Sequence, residues 1–286
     1  MSTIKGTLIP VGGNEDKGSG LSESETIEFV NEGILSRVVK ESGGSDAHII
    51  VIPTASSIPI EVGANYEAAF AKLGCTNMEV LDIREKSQTE DDAILNKIKS
   101  CDCVMFSGGD QSKISDIIGG STIHRVLSDR YLNEEFVIAG TSAGAMAMSH
   151  EMISGGSSTE SLIKDSVRMR EGLGLIPKLI IDSHFITRGR FGRLAEAVAK
   201  FPNLVGVGLA EDTGLVIKGG DTFTVIGSGM VIVFDPSNLT HNNVELLEPG
   251  TPMTMANLTV HVLANSDKYK ISTKEIEVLP IEADFE

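Results

Sequence analysis

Phe136-Val-Ile-Ala-Gly140-Thr-Ser142-Ala-Gly144-Ala-Met-Ala-Met148 changes pattern halfway along. Its first half is an apolar, largely β-branched run. Its second half is built of small residues that tolerate a helix. The stretch therefore reads as a buried strand, a sharp turn and a helix. The serine stands between two glycines, in the Gly140-x-Ser142-x-Gly144 spacing of a nucleophile elbow. At such a turn strand and helix pass so closely that side chains at the flanking positions would collide. The turn lifts the Ser142 hydroxyl above the sheet. It also directs the Ala143 N–H, at the start of the helix, toward a developing oxyanion.

On either side of this stretch, strand-like runs alternate with helical ones. Thr7-Leu-Ile-Pro-Val11, His48-Ile-Ile-Val-Ile52, residues 77–81 and Cys103-Val-Met-Phe106 read as strands. Helical periodicity marks residues 24–41, 61–73 and 89–99, and a further helix is expected from about Lys113. Residues 154–160 are polar and glycine-rich, as in an exposed loop. Leu179-Ile-Ile-Asp182 and residues 205–210 are again strand-like, with a helix expected over 194–200, and from Leu215 onward the pattern becomes short β segments. The alternation predicts an α/β fold: a mostly parallel sheet sandwiched by helices, with a β-rich C-terminal extension, in one domain over residues 1–286. In such sheets, sites form at the carboxyl ends of the strands. Gly109, Ser142, His184 and Glu211 all follow strand-like runs at that expected edge.

The formal charge of -16, from 24 basic and 40 acidic residues, argues against nucleic-acid binding, which needs a basic patch. The three cysteines are too few and too oddly spaced for a disulfide framework. Cys101-Asp-Cys103 lacks the second pair that a zinc site needs, so no metal is expected. The first residues lack the pattern of a secretory leader, and no run has the length of a membrane span. The expectation is a cytoplasmic protein without membrane attachment.

A serine hydroxyl needs a base to take its proton. Of the six histidines, only His184 follows an apolar strand at the carboxyl edge amid other polar groups. Two carboxylates compete to orient it. Glu211 ends the strand-like run 205–210, and Glu160 lies in the glycine-rich loop after the elbow; strand ends hold side chains better, which favours Glu211 without excluding Glu160. Gly108-Gly109 offers a second oxyanion donor, since glycine lets backbone approach a substrate closely. Arg188, Arg190 and Arg193 cluster beside the candidate base. In so acidic a chain, that cluster points to recognition of an acidic substrate group.

Four motifs in order, Gly12-Gly13-Asn-Glu-Asp-Lys17, Phe106-Ser-Gly-Gly-Asp-Gln111, Gly140-Thr-Ser-Ala-Gly-Ala145 and Asp182-Ser-His-Phe-Ile-Thr-Arg-Gly-Arg-Phe-Gly-Arg193, resemble those of the cyanophycinases. These are serine exopeptidases of the dipeptidase E family, with a fold like that of class I glutamine amidotransferases. The resemblance runs over most of the chain. It implies a flavodoxin-like fold, Ser142 as nucleophile, His184 as base, no cofactor, and an acid at Glu211 or Glu160. It implicates Gln111, Asp182, Ser183, Arg188, Arg190 and Arg193 in substrate binding, with Ser183 standing where a glutamine is common. The implied substrate is cyanophycin, a poly-aspartate chain bearing arginine on each side-chain carboxyl, and the implied assembly is a homodimer. An α-aspartyl dipeptidase of the same family is the nearest alternative. A non-catalytic amidotransferase-like binding protein is the alternative from another class.

Overall fold

The computed structural model describes residues 4–18, 28–156 and 161–279. Five strands form the parallel part of the main sheet: Thr7–Val11 (β1), Ile49–Ile52 (β2), Met78–Val80 (β3), Cys103–Phe106 (β4) and Val137–Thr141 (β5). They lie side by side in the order β1-β5-β4-β2-β3, every pair parallel. Apart from the short edge strand β3, each is buried along its whole length. A parallel strand covered on both faces needs just such unbroken apolar runs.

Six helices punctuate or follow these strands: Ile34–Glu41 (α1), Pro59–Lys72 (α2), Asp92–Ser100 (α3), Gln111–Ile117 (α4), Thr122–Asn133 (α5) and Ala143–Met146 (α6). α1 begins later than the periodicity of 24–41 predicts. Gly33 caps it, and the approach of Gly33 to the Phe29 carbonyl marks a turn there; residues 19–27 lie outside the described residues. The helix expected from Lys113 is two helices. Gly119-Gly120 ends α4, and Ser121 caps α5 by accepting the His124 N–H.

The second half of the chain departs further from expectation. Glu151–Gly156 (β6) and Val167–Glu171 (β7) pair antiparallel, so residues 154–156 are strand and not loop. Leu179–Asp182 (β8) and Val205–Leu209 (β9) are parallel to each other but sit in a separate sheet. That sheet is completed by Val231–Asp235 (β12) and Thr259–Leu263 (β13), while Phe191–Lys200 (α7) connects β8 to β9. The main sheet continues past β1 through Thr213–Lys218 (β10), Thr222–Gly227 (β11), Lys268–Lys270 (β14) and Ile276–Glu277 (β15), all antiparallel. The architecture is thus α/β with a large sheet that is parallel in its core and extended by antiparallel tail strands. The histidine and glutamate candidates follow the smaller sheet, not the one that carries Ser142.

One hydrophobic cluster spans both sheets, running from Phe106 and Ile138 to Phe185, Val207 and Phe234. A second fills the opposite face of the parallel strands, around Ile9, Val51, Phe70 and Met105. The elements that bear polar groups at the two sheet ends are therefore fixed against a shared core.

Candidate active site

β5 ends at Thr141, and the chain turns at once into α6. Ser142 at the turn has φ 51° and ψ -104°, a backbone conformation that non-glycine residues rarely adopt. Such a position stores on the order of 1–3 kcal/mol of strain, which the surrounding packing must hold. A Cβ on Gly140 would stand 2.6 Å from the Gly144 carbonyl carbon, and one on Gly144 would stand 2.5 Å from the Phe106 carbonyl oxygen. The two glycines let β5, α6 and β4 pass that closely. The Ser142 N–H donates to the Val11 carbonyl at 2.8 Å and locks the elbow to β1.

His184 also has a positive φ, 47°, and its N–H donates to the Gly12 carbonyl at 2.8 Å. It is only 7% exposed. Its Nδ1 stands 2.6 Å from Glu211 Oε1, and the Thr187 hydroxyl donates to the same oxygen at 3.2 Å. Burial works to raise the Glu211 carboxyl. Hydrogen bonds from His184, Asn14 and Thr187, with the charge of His184, outweigh it and hold the group below its usual range.

The loop after β1 binds these pieces together. Gly13 has φ +106°, and a Cβ there would overlap the His184 ring at Cε1. The Asp212 N–H donates to the Gly13 carbonyl at 2.9 Å, and the Asp16 N–H donates to Asp212 Oδ1 at 3.0 Å. Glu15 is buried between β5 and α2. Its Oε1 accepts the Tyr66 hydroxyl at 2.5 Å and Lys17 Nζ at 2.8 Å; its Oε2 accepts the Thr141 hydroxyl at 2.5 Å. Burial again works to raise the carboxyl. The Lys17 charge and the bonds from Lys17, Thr141 and Tyr66 prevail, so Glu15 lies below the usual carboxylate range. Burial and the Glu15 charge push the Tyr66 phenol well above its ordinary value.

An open cleft of about 440 Å³ joins these groups; Ser142, His184, Gly108, Gly109, Lys17 and Arg188 are among its lining residues. Gly109 adopts φ +142°, and a Cβ there would overlap the Ala55 carbonyl. Its N–H makes no hydrogen bond among the described residues. Ala143 opens α6, where an N–H has no intrahelical acceptor. The arrangement has the parts of an acyl-transfer site: a strained hydroxyl, an imidazole with a carboxylate behind it, and two backbone donors. Among the described residues no cluster of histidine, cysteine, aspartate and glutamate is suited to a metal ion.

The other sequence candidates fall in varied places. Ser183 is buried; its Oγ lies 3.4 Å from Ser142 Oγ and 3.3 Å from Met146 Sδ. Gln111 donates through Nε2 to the Ile153 carbonyl at 2.8 Å, tying α4 to β6. Asp182 is fully buried, and Arg193, 5% exposed, grips it through Nε at 2.9 Å and Nη2 at 2.5 Å. Arg190 Nη1 reaches Asp182 Oδ1 at 3.0 Å and the Ser183 carbonyl at 2.7 Å. Asp182 and Arg193 are thus engaged with each other out of solvent. The cluster fastens the end of β8 to the start of α7. Arg188 is exposed at the cleft and has no ion-pair partner among the described residues. Glu160 lies outside the described residues. Sequence reasoning assigned no role to Gly13, Asn14, Glu15, Lys17 or Tyr66. The glycine turn Gly12-Gly13 directly after a strand was the available signal for the first three.

Residues 18–225 match the model of Peptidase family S51. The cyanophycinase of Trichormus variabilis is 35% identical over 272 residues, covering 95% of this chain and 88% of that protein. The cyanophycinase of Geminocystis herdmanii is 34% identical over 272 residues, covering 95% and 96% respectively. Among solved structures, a peptidase from an acI-B1 Actinobacterium superposes with a TM-score of 0.62 at 19% identity, covering 92% of this chain and 98% of that one. A putative peptidase E protein from Listeria monocytogenes gives a TM-score of 0.51 at 13% identity, covering 77% and 98%.

Proposed function

The chain belongs to peptidase family S51 and is a serine-type peptidase; from that premise we propose that its substrate is cyanophycin, whose poly-aspartate backbone it cleaves to release β-aspartyl-arginine dipeptides. One observation carries this proposal. In a chain 35% identical to a cyanophycinase, a single cleft holds Ser142, His184 and two solvent-facing cations, Lys17 and Arg188. Cyanophycin offers carboxylates to such cations, because every arginine it bears keeps a free α-carboxylate.

In the proposed mechanism Ser142 Oγ attacks a backbone carbonyl carbon of the substrate while its proton passes to His184 Nε2. Glu211, accepting from Nδ1 at 2.6 Å, fixes the ring and steadies the imidazolium that forms. The oxyanion is held by the N–H groups of Gly109 and Ala143. Collapse of the tetrahedral adduct breaks the C–N bond, and His184 gives its proton to the leaving amine. Water, activated by the same histidine, then attacks the acyl-enzyme and restores the Ser142 hydroxyl. The strained φ of Ser142 supports this role, since it holds Oγ in the open at no further cost during turnover.

The test is a substrate panel. The purified protein is incubated with suspended cyanophycin and, separately, with α-aspartyl dipeptides. Clearing of the suspension with β-Asp-Arg as the product is the expected result. Cleavage of α-aspartyl dipeptides alone would reject cyanophycin as the substrate.

A further inference from the structure

Five charged or ionisable side chains line the cleft: Glu15, Lys17, Tyr66, His184 and Arg188. Glu15 is buried, and its oxygens are filled by Tyr66, Thr141 and Lys17. The charges left facing solvent are both cations, although the chain as a whole carries -16.

Lys17 is not an ordinary surface lysine. Its Nζ donates to Glu15 Oε1 at 2.8 Å and to the Glu15 carbonyl at 3.3 Å, and it rests 4.9 Å from the centroid of the Tyr66 ring. An ammonium has three donors. Two are taken by Glu15, while the side chain stays 30% exposed at the cleft. A flexible lysine loses much rotamer freedom when it grips a ligand; this one is already held, so that loss is largely removed. Tyr66 and Thr141 also donate to the Glu15 carboxylate, so the lysine shares that carboxylate while its own side chain stays partly exposed at the cleft.

Resting on the cyanophycin proposal above, we infer that the Lys17 ammonium, pre-positioned by Glu15 and Tyr66, is a carboxylate-binding group of the cleft and contacts one carboxylate of the bound substrate. Two carboxylates have the right chemistry: the main-chain terminal carboxylate and the α-carboxylate of a side-chain arginine.

The test uses a Ser142→Ala protein, which does not turn over, and a synthetic three-unit aspartate chain bearing arginine on each side chain. The ligand is made in three forms: all-acid, main-chain terminal amide, and arginine carboxamide. Binding of each is measured by calorimetry in Ser142→Ala alone and combined with Lys17→Met or Lys17→Arg. One amidation is expected to weaken binding about tenfold, as for loss of a charge-assisted hydrogen bond. That penalty should vanish in the Lys17→Met background and persist in Lys17→Arg. The form that shows the coupling identifies the carboxylate. Equal penalties with and without Lys17 would overturn the assignment, because a lysine of purely structural use changes all three affinities alike. The unmutated protein is assayed for hydrolysis of the all-acid ligand in parallel. Binding without hydrolysis would reject the proposed function and leave the Lys17 assignment standing; no binding of any form would overturn both.

Discussion

His184 Nδ1 stands 2.6 Å from Glu211 Oε1, although the two residues are 27 positions apart and follow different strands of the smaller sheet. Because Glu211 occupies Nδ1, Nε2 is the ring nitrogen left for the proposed proton transfer. Glu211→Gln should let the ring adopt the wrong tautomer. The expected loss in kcat is roughly 10³–10⁴-fold, with KM little changed. Since the Glu211 carboxyl lies below its ordinary value of 4.5, it stays ionised as pH falls through that value, so its protonation should limit wild-type activity only at still lower pH. Steady-state kinetics across pH for both proteins check this; a loss of less than tenfold in the variant would reject the pairing as functional.

Gly13 is where the β1 loop touches the His184 ring. Gly13→Ala places a methyl against the His184 ring and a side chain at φ +106°. The ring must move, and displacements near 1 Å cost on the order of 10²-fold in rate. The expected outcome is that fall in kcat with a melting temperature only a few degrees lower, read by kinetics and calorimetry on the same sample.

Glu15 should matter for stability as well as for Lys17. Its folded-state carboxyl is depressed below the ordinary 4.5. Its contribution is therefore fully present above the range where the unfolded carboxyl titrates, and it fades as pH falls through the folded value. Glu15→Gln removes the buried carboxylate bonded by Lys17, Tyr66 and Thr141 and is expected to cost about 1–3 kcal/mol near neutral pH. Melting temperatures of wild type and variant should differ by several degrees at pH 7 and converge only once pH has fallen below the ordinary 4.5 and through the depressed Glu15 value.

Asp182 is held by Arg190 and Arg193 out of solvent, so removing Arg193 leaves the buried carboxylate with Arg190 as its remaining cation and Oδ2 without its partner. Arg193→Met is expected to destabilise the protein by about 3–5 kcal/mol. Denaturant unfolding measures this; a stability within 1 kcal/mol of wild type, an order-of-magnitude threshold for an exposed pair, would mean that the cluster is solvated.

The sequence made the parallel half of the fold legible because its strands are unbroken apolar runs and its elbow has glycines where backbones nearly touch. Ser142, His184 and Glu211 could be chosen as candidates because each stands shortly after a strand-like run. The assignment of His184 and Glu211 to a second sheet was not visible, since strand patterns do not record which neighbours a strand pairs with. The inward turn of part of the arginine cluster was not legible. Charge at a helix start looks the same whether it faces a ligand or, like Arg193, turns inward to a buried aspartate. Lys17 was hidden because its position depends on Glu15 and Tyr66, and Tyr66 enters from a distant helix.

The most direct measurement compares wild type and Ser142→Ala on the same cyanophycin suspension, with products identified by mass spectrometry. β-Asp-Arg is expected to accumulate with wild type and to be absent with the variant, while the variant still binds the polymer. Release of the dipeptide by Ser142→Ala at a rate near that of wild type would contradict it.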